Sequence, residues 1–117
     1  MDEQAIWILE ERFWLEGSSV YDDLLDAACL MAFPGMGVMR AADILESLRQ
    51  APRWASVEMS ERVFGRAGEQ VIIIGYTAQG RRDGEAPYRC FCTSTYRLDG
   101  ERCKLVQHQQ TVAASVC

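Results

Sequence analysis

The sequence is short of basic charge, of histidine and of long apolar runs, and each shortage excludes something. Lys and Arg number 12 against 17 Asp and Glu, a formal net charge of −5. Nucleic-acid binding draws on a basic face that displaces counterions from phosphates. Here the arginines (Arg40, Arg49, Arg53, Arg62, Arg66) are scattered, apart from the pair Arg81-Arg82 beside a turn. No nucleic-acid partner is expected. No apolar run approaches the ~20 residues that span a bilayer, so no membrane association is expected either. The start, Met1-Asp2-Glu3-Gln4, has neither the basic region nor the apolar stretch of a secretory leader, and a cytoplasmic location is expected. The five cysteines (Cys29, Cys90, Cys92, Cys103, Cys117) are odd in number and read as reduced thiols rather than a disulfide framework. The glycines of Phe33-Pro34-Gly35-Met36-Gly37 lack the following Lys of a phosphate loop. Repeats, linkers and low-complexity tracts are also missing.

What remains is material for one core. The 117 residues make a single domain, 1–117, with 49% hydrophobic residues and three Trp, four Tyr and four Phe. Residues 2–16 read as an amphipathic helix, because Ile6, Leu9 and Phe13, with Trp7 and Trp14, recur at helical spacing among Glu3, Glu10, Glu11 and Arg12. Asp2 is its N-cap and Gly17 its stop. A second helix is expected from Ser18 or Ser19 to about Ala28, carrying Val20, Tyr21, Leu24 and Leu25 inward. Cys29–Phe33 and Gly37–Met39 read as short strands, followed by a third helix at 40–50 that Pro52 closes. Four long strands then follow at 54–64, 70–80, 88–98 and 102–112, with turns at 65–68, Asp83-Gly84 and Asp99-Gly100. Helices first and a strand meander second predict an α+β fold with an antiparallel sheet.

This order resembles the nuclear transport factor 2-like superfamily, and the local strings resemble its SnoaL-like, uncharacterised bacterial branch. The strings are Glu11-Arg12-Phe13-Trp14 with Gly17 and Tyr21, Leu30-Met31-Ala32-Phe33-Pro34, Ala51-Pro52-Arg53-Trp54, Gly75-Tyr76-Thr77-Ala78 with Arg81-Arg82, and Lys104-Leu105-Val106-Gln107-His108-Gln109-Gln110-Thr111. The resemblance implies a cystatin-like cone: a strongly curved antiparallel sheet wrapped around N-terminal helices, with an apolar pocket at its open end and a homodimer habit. The superfamily holds isomerases, cyclases, dehydratases and non-catalytic domains, so fold alone implies little about activity. Ketosteroid isomerases place a general-base Asp before the Pro that ends the first strand. Here that residue is Phe33, and Phe91 or Thr93 stands where their second acid lies. That mechanism does not carry over.

Pairing Leu98 with Glu101 at the last hairpin, and hinging the previous one at Asp83-Gly84, sorts the strands into two faces. One carries Gly75, Cys90, Cys92, Ser94, Cys103 and Gln107; the other carries Ile72, Ile74, Tyr76, Phe91, Thr93, Val106, His108 and Gln110. The second face, with bulky groups at its centre, is expected to line the pocket. The small residues of the first invite a twofold partner. The expected ligand-binding set is therefore Trp14, Tyr21, Trp54, Tyr76, Phe91, Thr93, His108 and Gln110, around a small apolar or aromatic molecule. His108, the only histidine, is the candidate catalytic proton carrier, set against a plain structural histidine. Its partners on the expected face are Gln110 and Thr93, with Glu58 the nearest acid considered. Cys90-x-Cys92 with Cys103 reads as small core fillers, and neither a metal nor a cofactor is expected. Arg81-Arg82 reads as a solvated turn, against a grip on an acidic ligand. Three functions follow in order: a small-molecule-binding domain, an isomerase-, cyclase- or dehydratase-type enzyme using His108, and a pure association module.

Overall fold

A computed structural model describes residues 1–50 and 52–113. Ala51 and Cys117, on which parts of the sequence reading fall, lie outside the described residues. Helix α1 (Glu3–Leu15) starts where Asp2 accepts a hydrogen bond from the Ala5 amide at 2.8 Å. Its buried stripe is Ile6, Trp7, Leu9, Glu10, Phe13 and Trp14. Its C-terminal carbonyls would be orphaned, and two side chains from elsewhere satisfy them. Tyr21 Oη donates to Phe13 O at 2.5 Å, and Arg53 donates to Glu16 O, Phe13 O and Trp14 O at 2.9, 2.5 and 2.7 Å.

Helix α2 (Ser18–Leu24) passes straight into strand β1 (Leu25–Phe33), so it is shorter than the sequence predicts. The reason is local and tertiary at once. Asp26 accepts from the Ala28 amide at 2.9 Å, which competes with helical bonding, and it pairs with Arg97 of a distant strand. Strand β2 (Gly37–Arg40) and helix α3 (Ala41–Leu48) follow, then β3 (Ser56–Arg66), β4 (Val71–Arg81), β5 (Tyr88–Asp99) and β6 (Arg102–Val112).

The six strands form one curved, open sheet in the order β2-β1-β6-β5-β4-β3, with the helices against it, so the α+β reading stands. The four long strands are antiparallel as expected, but β1 runs parallel to β6, placing Met31 beside His108 and making the sheet mixed. None of the described helices is long and apolar enough to cross a membrane. The core, with Ile6, Ile72, Ile74, Tyr96 and Leu105 almost wholly buried, fills the concave side. Each such side chain stabilises by about 1.5–3 kcal/mol relative to exposure.

Register corrects the expected faces. The last hairpin pairs Asp99 with Arg102 and Leu98 with Cys103, and an irregularity between Thr95 and Tyr96 then opposes Ser94 to His108 and Cys92 to Gln110. One extra residue at Val106 therefore turns both halves of β6 inward, Cys103 and Leu105 before it and His108 and Gln110 after it. The loop before β5 is one residue out of the expected phase as well, setting Tyr76 against Cys92 and Ile74 against Ser94. Hence Cys90, Cys92, Ser94 and Tyr96 point inward, while Phe91 and Thr93 are exposed on the outer face. Of the small residues expected to meet a partner, Cys90, Cys92, Ser94 and Cys103 are thus interior, and Gly75 stays on the outer face.

Candidate functional site

The open end of the cone holds a cavity of about 450 Å³ between α1, α2, α3 and the concave sheet. Its walls are Phe13, Trp14, Tyr21, Met31, Phe33, Ile44, Leu48, Trp54, Tyr88 and Leu105, with Pro34 and Met36 from the β1–β2 turn. Its polar groups are few: Glu10, Ser47, Arg53, Arg82, Glu85, His108 and Gln110. An apolar wall with a handful of placed polar groups is the usual make-up of a small-molecule site.

The floor is built around Glu10, 1% exposed on the inner stripe of α1. Four groups surround its carboxylate. Tyr76 and Tyr96 donate through their hydroxyls, Ser94 Oγ donates at 2.7 Å, and His108 Nδ1 stands 3.4 Å away. Burial alone would raise the Glu10 carboxyl, but the hydrogen bond and charge of His108, with the Ser94 and Tyr76 hydroxyls, outweigh it and leave the group below its ordinary value. Burial first, and the Glu10 charge second, pushes Tyr76 and Tyr96 well up, which keeps both as donors.

The hydrogen-bond directions close on one another. Ser94 spends its hydroxyl hydrogen on Glu10, so at 2.6 Å it accepts from His108 Nδ1–H. On the far side Tyr88 Oη donates to Gln110 Oε1 at 3.0 Å, which turns the Gln110 amide NH₂ toward His108 Nε2 at 3.1 Å. With a hydrogen on Nδ1, Nε2 is the ring's one possible acceptor. His108 is therefore oriented from behind by Ser94 and Glu10, and it lines the cavity. Trp14, edge-on to it at 6.5 Å between ring centroids, and Phe33 at 6.0 Å fix its surroundings.

Nearer the mouth, Trp54 stacks on Tyr88 with ring centroids 5.4 Å apart and planes 14° from parallel. Trp54 also lies flat on Gly80, where a Cβ would approach its Cε3 to 2.9 Å. The Arg82 guanidinium covers the Trp54 ring at 3.8 Å from Cζ to centroid.

Of the residues expected around a ligand, Trp14, Tyr21, Trp54, His108 and Gln110 line the cavity together. Tyr76 lies beneath it, bonded to Glu10 and accepting from Trp14 Nε1 at 2.9 Å. Phe91 and Thr93 face away, and Thr93 donates to Gln109 instead of orienting His108. Glu58 is exposed on β3 and takes no part. The partner carboxylate is Glu10, which the helical pattern had counted as a solvent-facing charge. The signal was present: Glu10 sits four residues after Ile6 and three before Phe13, inside the apolar stripe. Arg53 carried no comparable signal as a cavity residue, and Arg82, which lines the cavity, was read as part of a solvated turn in preference to a grip on an acidic ligand. Cys29, Cys90, Cys92 and Cys103 are buried, and burial pushes the Cys29 thiol to about 12. Among the described residues no three acidic, His or Cys side chains converge as a metal site would require.

Comparison of the sequence with family models and with curated proteins returns no match. Comparison of the fold with solved structures returns many. A protein of unknown function from Prochlorococcus marinus, described as NTF2-like, shares 17% identity over 99% of this chain and 97% of its own, with a TM-score of 0.77. An NTF2-like protein from Rhodospirillum rubrum, described as of unknown function in nutrient uptake, shares 24% over 93% and 98%, with a TM-score of 0.77. A putative Ca/calmodulin-dependent kinase II association domain from Exiguobacterium sibiricum shares 15% over 97% and 92%, with a TM-score of 0.78. Coverage is nearly end to end in both directions. The chain has the nuclear transport factor 2-like fold.

Proposed function

We propose that this chain is a small-molecule-binding domain whose cavity takes a compact, flat and largely apolar ligand, and that it works as a homodimer. The observation that carries the reading is the cavity of about 450 Å³ walled by aromatic side chains, with His108 held over a buried Glu10 at its floor. That size falls within the ~300–1,000 Å³ typical of ligand pockets. Trp14 and Trp54 both line it, so ligand entry should change the intrinsic fluorescence. A titration with small aromatic probes tests the reading: saturable quenching that His108→Gln weakens supports it, and no response from any probe removes it.

The homodimer rests on the outer face. Val63, Ile73 and Phe91, exposed by 67, 44 and 51%, surround Gly75 and Thr93 on β3, β4 and β5. A sheet buries only its concave side against its own helices, and such a face favours a twofold copy of itself. The kinship in fold with an association domain points the same way. Sedimentation should give twice the monomer mass, and Phe91→Glu should return a monomer with the fold intact.

A second reading has its own observation. The chain of Glu10, Ser94 and His108 has the geometry of an oriented general base, with Nε2 as the acceptor that a substrate would take over from the Gln110 amide. An isomerase-, cyclase- or dehydratase-type enzyme would use His108 as proton carrier. Exchange of α-protons of an enolisable ketone into D₂O, lost in His108→Gln, would favour that reading over binding alone.

A further inference from the structure

We propose that Arg82, with Arg53, forms an oxyanion subsite in the cavity, so that the ligand is a small monocarboxylate with a flat apolar body. The inference rests on the pocket reading above and deepens it. Among the described residues one buried side-chain nitrogen or oxygen has no hydrogen-bond partner, and it is Arg82 Nε. A charged donor that has left water without finding an acceptor is costly to leave unmade. The same guanidinium makes no ion pair with a described residue, although the exposed Glu85 lines the same cavity.

The group is also held in place. The Arg82 Cζ sits 3.8 Å from the centre of the Trp54 ring, that ring packs against Gly80, and Tyr88 stacks on it. Arg82 Nε is shut off from solvent, so a cavity ligand meets the guanidinium at its two Nη groups. A rigid planar fork matches a carboxylate through two parallel hydrogen bonds. Arg53 adds positive charge to the same cavity, its Nε and one Nη engaged by the carbonyls that end α1 and no described carboxylate in ion-pair range. Two cations lining one cavity of a chain with a net charge of −5 focus an anion there. The opposing charge of Glu10 at the floor disfavours a dianion, which is why a monocarboxylate fits better than a phosphate. The apolar body would lie along Phe13, Trp14, Phe33 and Leu105.

Calorimetry with hydrocinnamate, its neutral isostere hydrocinnamide, and phenyl phosphate tests this. The wild-type protein should bind the acid at least about tenfold more tightly than the amide, a difference of ~1.4 kcal/mol. Arg82→Gln should bring the acid to the level of the amide, so that the ratio of the two affinities, rather than either alone, is the readout. Arg82→Lys, which keeps the charge without the fork, should recover only part of the preference. Equal affinity for acid and amide, or a preference that survives Arg82→Gln, overturns the subsite while the pocket stands. Tighter binding of phenyl phosphate overturns the carboxylate assignment. Failure of all three probes at millimolar concentration overturns the pocket itself and the subsite with it.

Discussion

Glu10 is a charged residue placed where its helix needs an apolar one, and its surroundings show how that is sustained. A buried carboxylate is tolerated only when its lone pairs are met, and the hydroxyls of two tyrosines and a serine meet them here, with His108 Nδ1 3.4 Å away. Glu10→Gln keeps the shape but offers an amide NH₂ to hydroxyls that already donate, and it should cost about 3 kcal/mol in urea denaturation. The pH dependence follows from the same carboxylate. Because the folded state holds it below its ordinary value near 4.5, its contribution is complete above that pH and is lost as the pH falls through the folded value. Stability of the wild type should therefore decline below about pH 4.5 more steeply than that of Glu10→Gln. Parallel declines would show that the carboxylate is not charged in the fold. His108→Gln is a gentler change at the edge of the same network. It should leave the fold in place and weaken ligand binding.

At the scale of elements, α1 is fastened from outside. Arg53 reaches three carbonyls at its end, and Arg53→Ala should destabilise by about 2–3 kcal/mol, read as a lower thermal midpoint. The long strands, the α1 cap at Asp2 and the order of elements were all legible, because period, caps and turn residues are local signals. What was not legible was phase. The irregularity beside Val106 and the one-residue shift in the loop before β5 each exchange the two faces of a strand. No propensity marks either position, since both are set by how β5 and β6 wrap the helices. Hence His108, Gln110, Trp14, Tyr21 and Trp54 lie at the cavity, whereas Phe91 and Thr93, read into the same face from the sequence, lie outside it. The start of β1 shows the same limit. Leu25 to Ala28 have helical composition, yet the bonds from Asp26 to Ala28 and Arg97 draw them into the sheet.

For the whole molecule, the curved sheet gives two surfaces with different uses: a concave side that builds the cavity and a convex side that carries Val63, Ile73 and Phe91. A ligand of the proposed kind should enter the first and leave the second alone. Chemical-shift mapping of the ¹⁵N- and ¹³C-labelled protein during titration with hydrocinnamate addresses it most directly. Saturable shifts are expected at the Trp14 and Trp54 indoles, the His108 ring and the Gln110 amide, with Phe91 and Thr93 unmoved. Shifts confined to Phe91, Thr93 and Ile73, or none at the His108 ring, would contradict it.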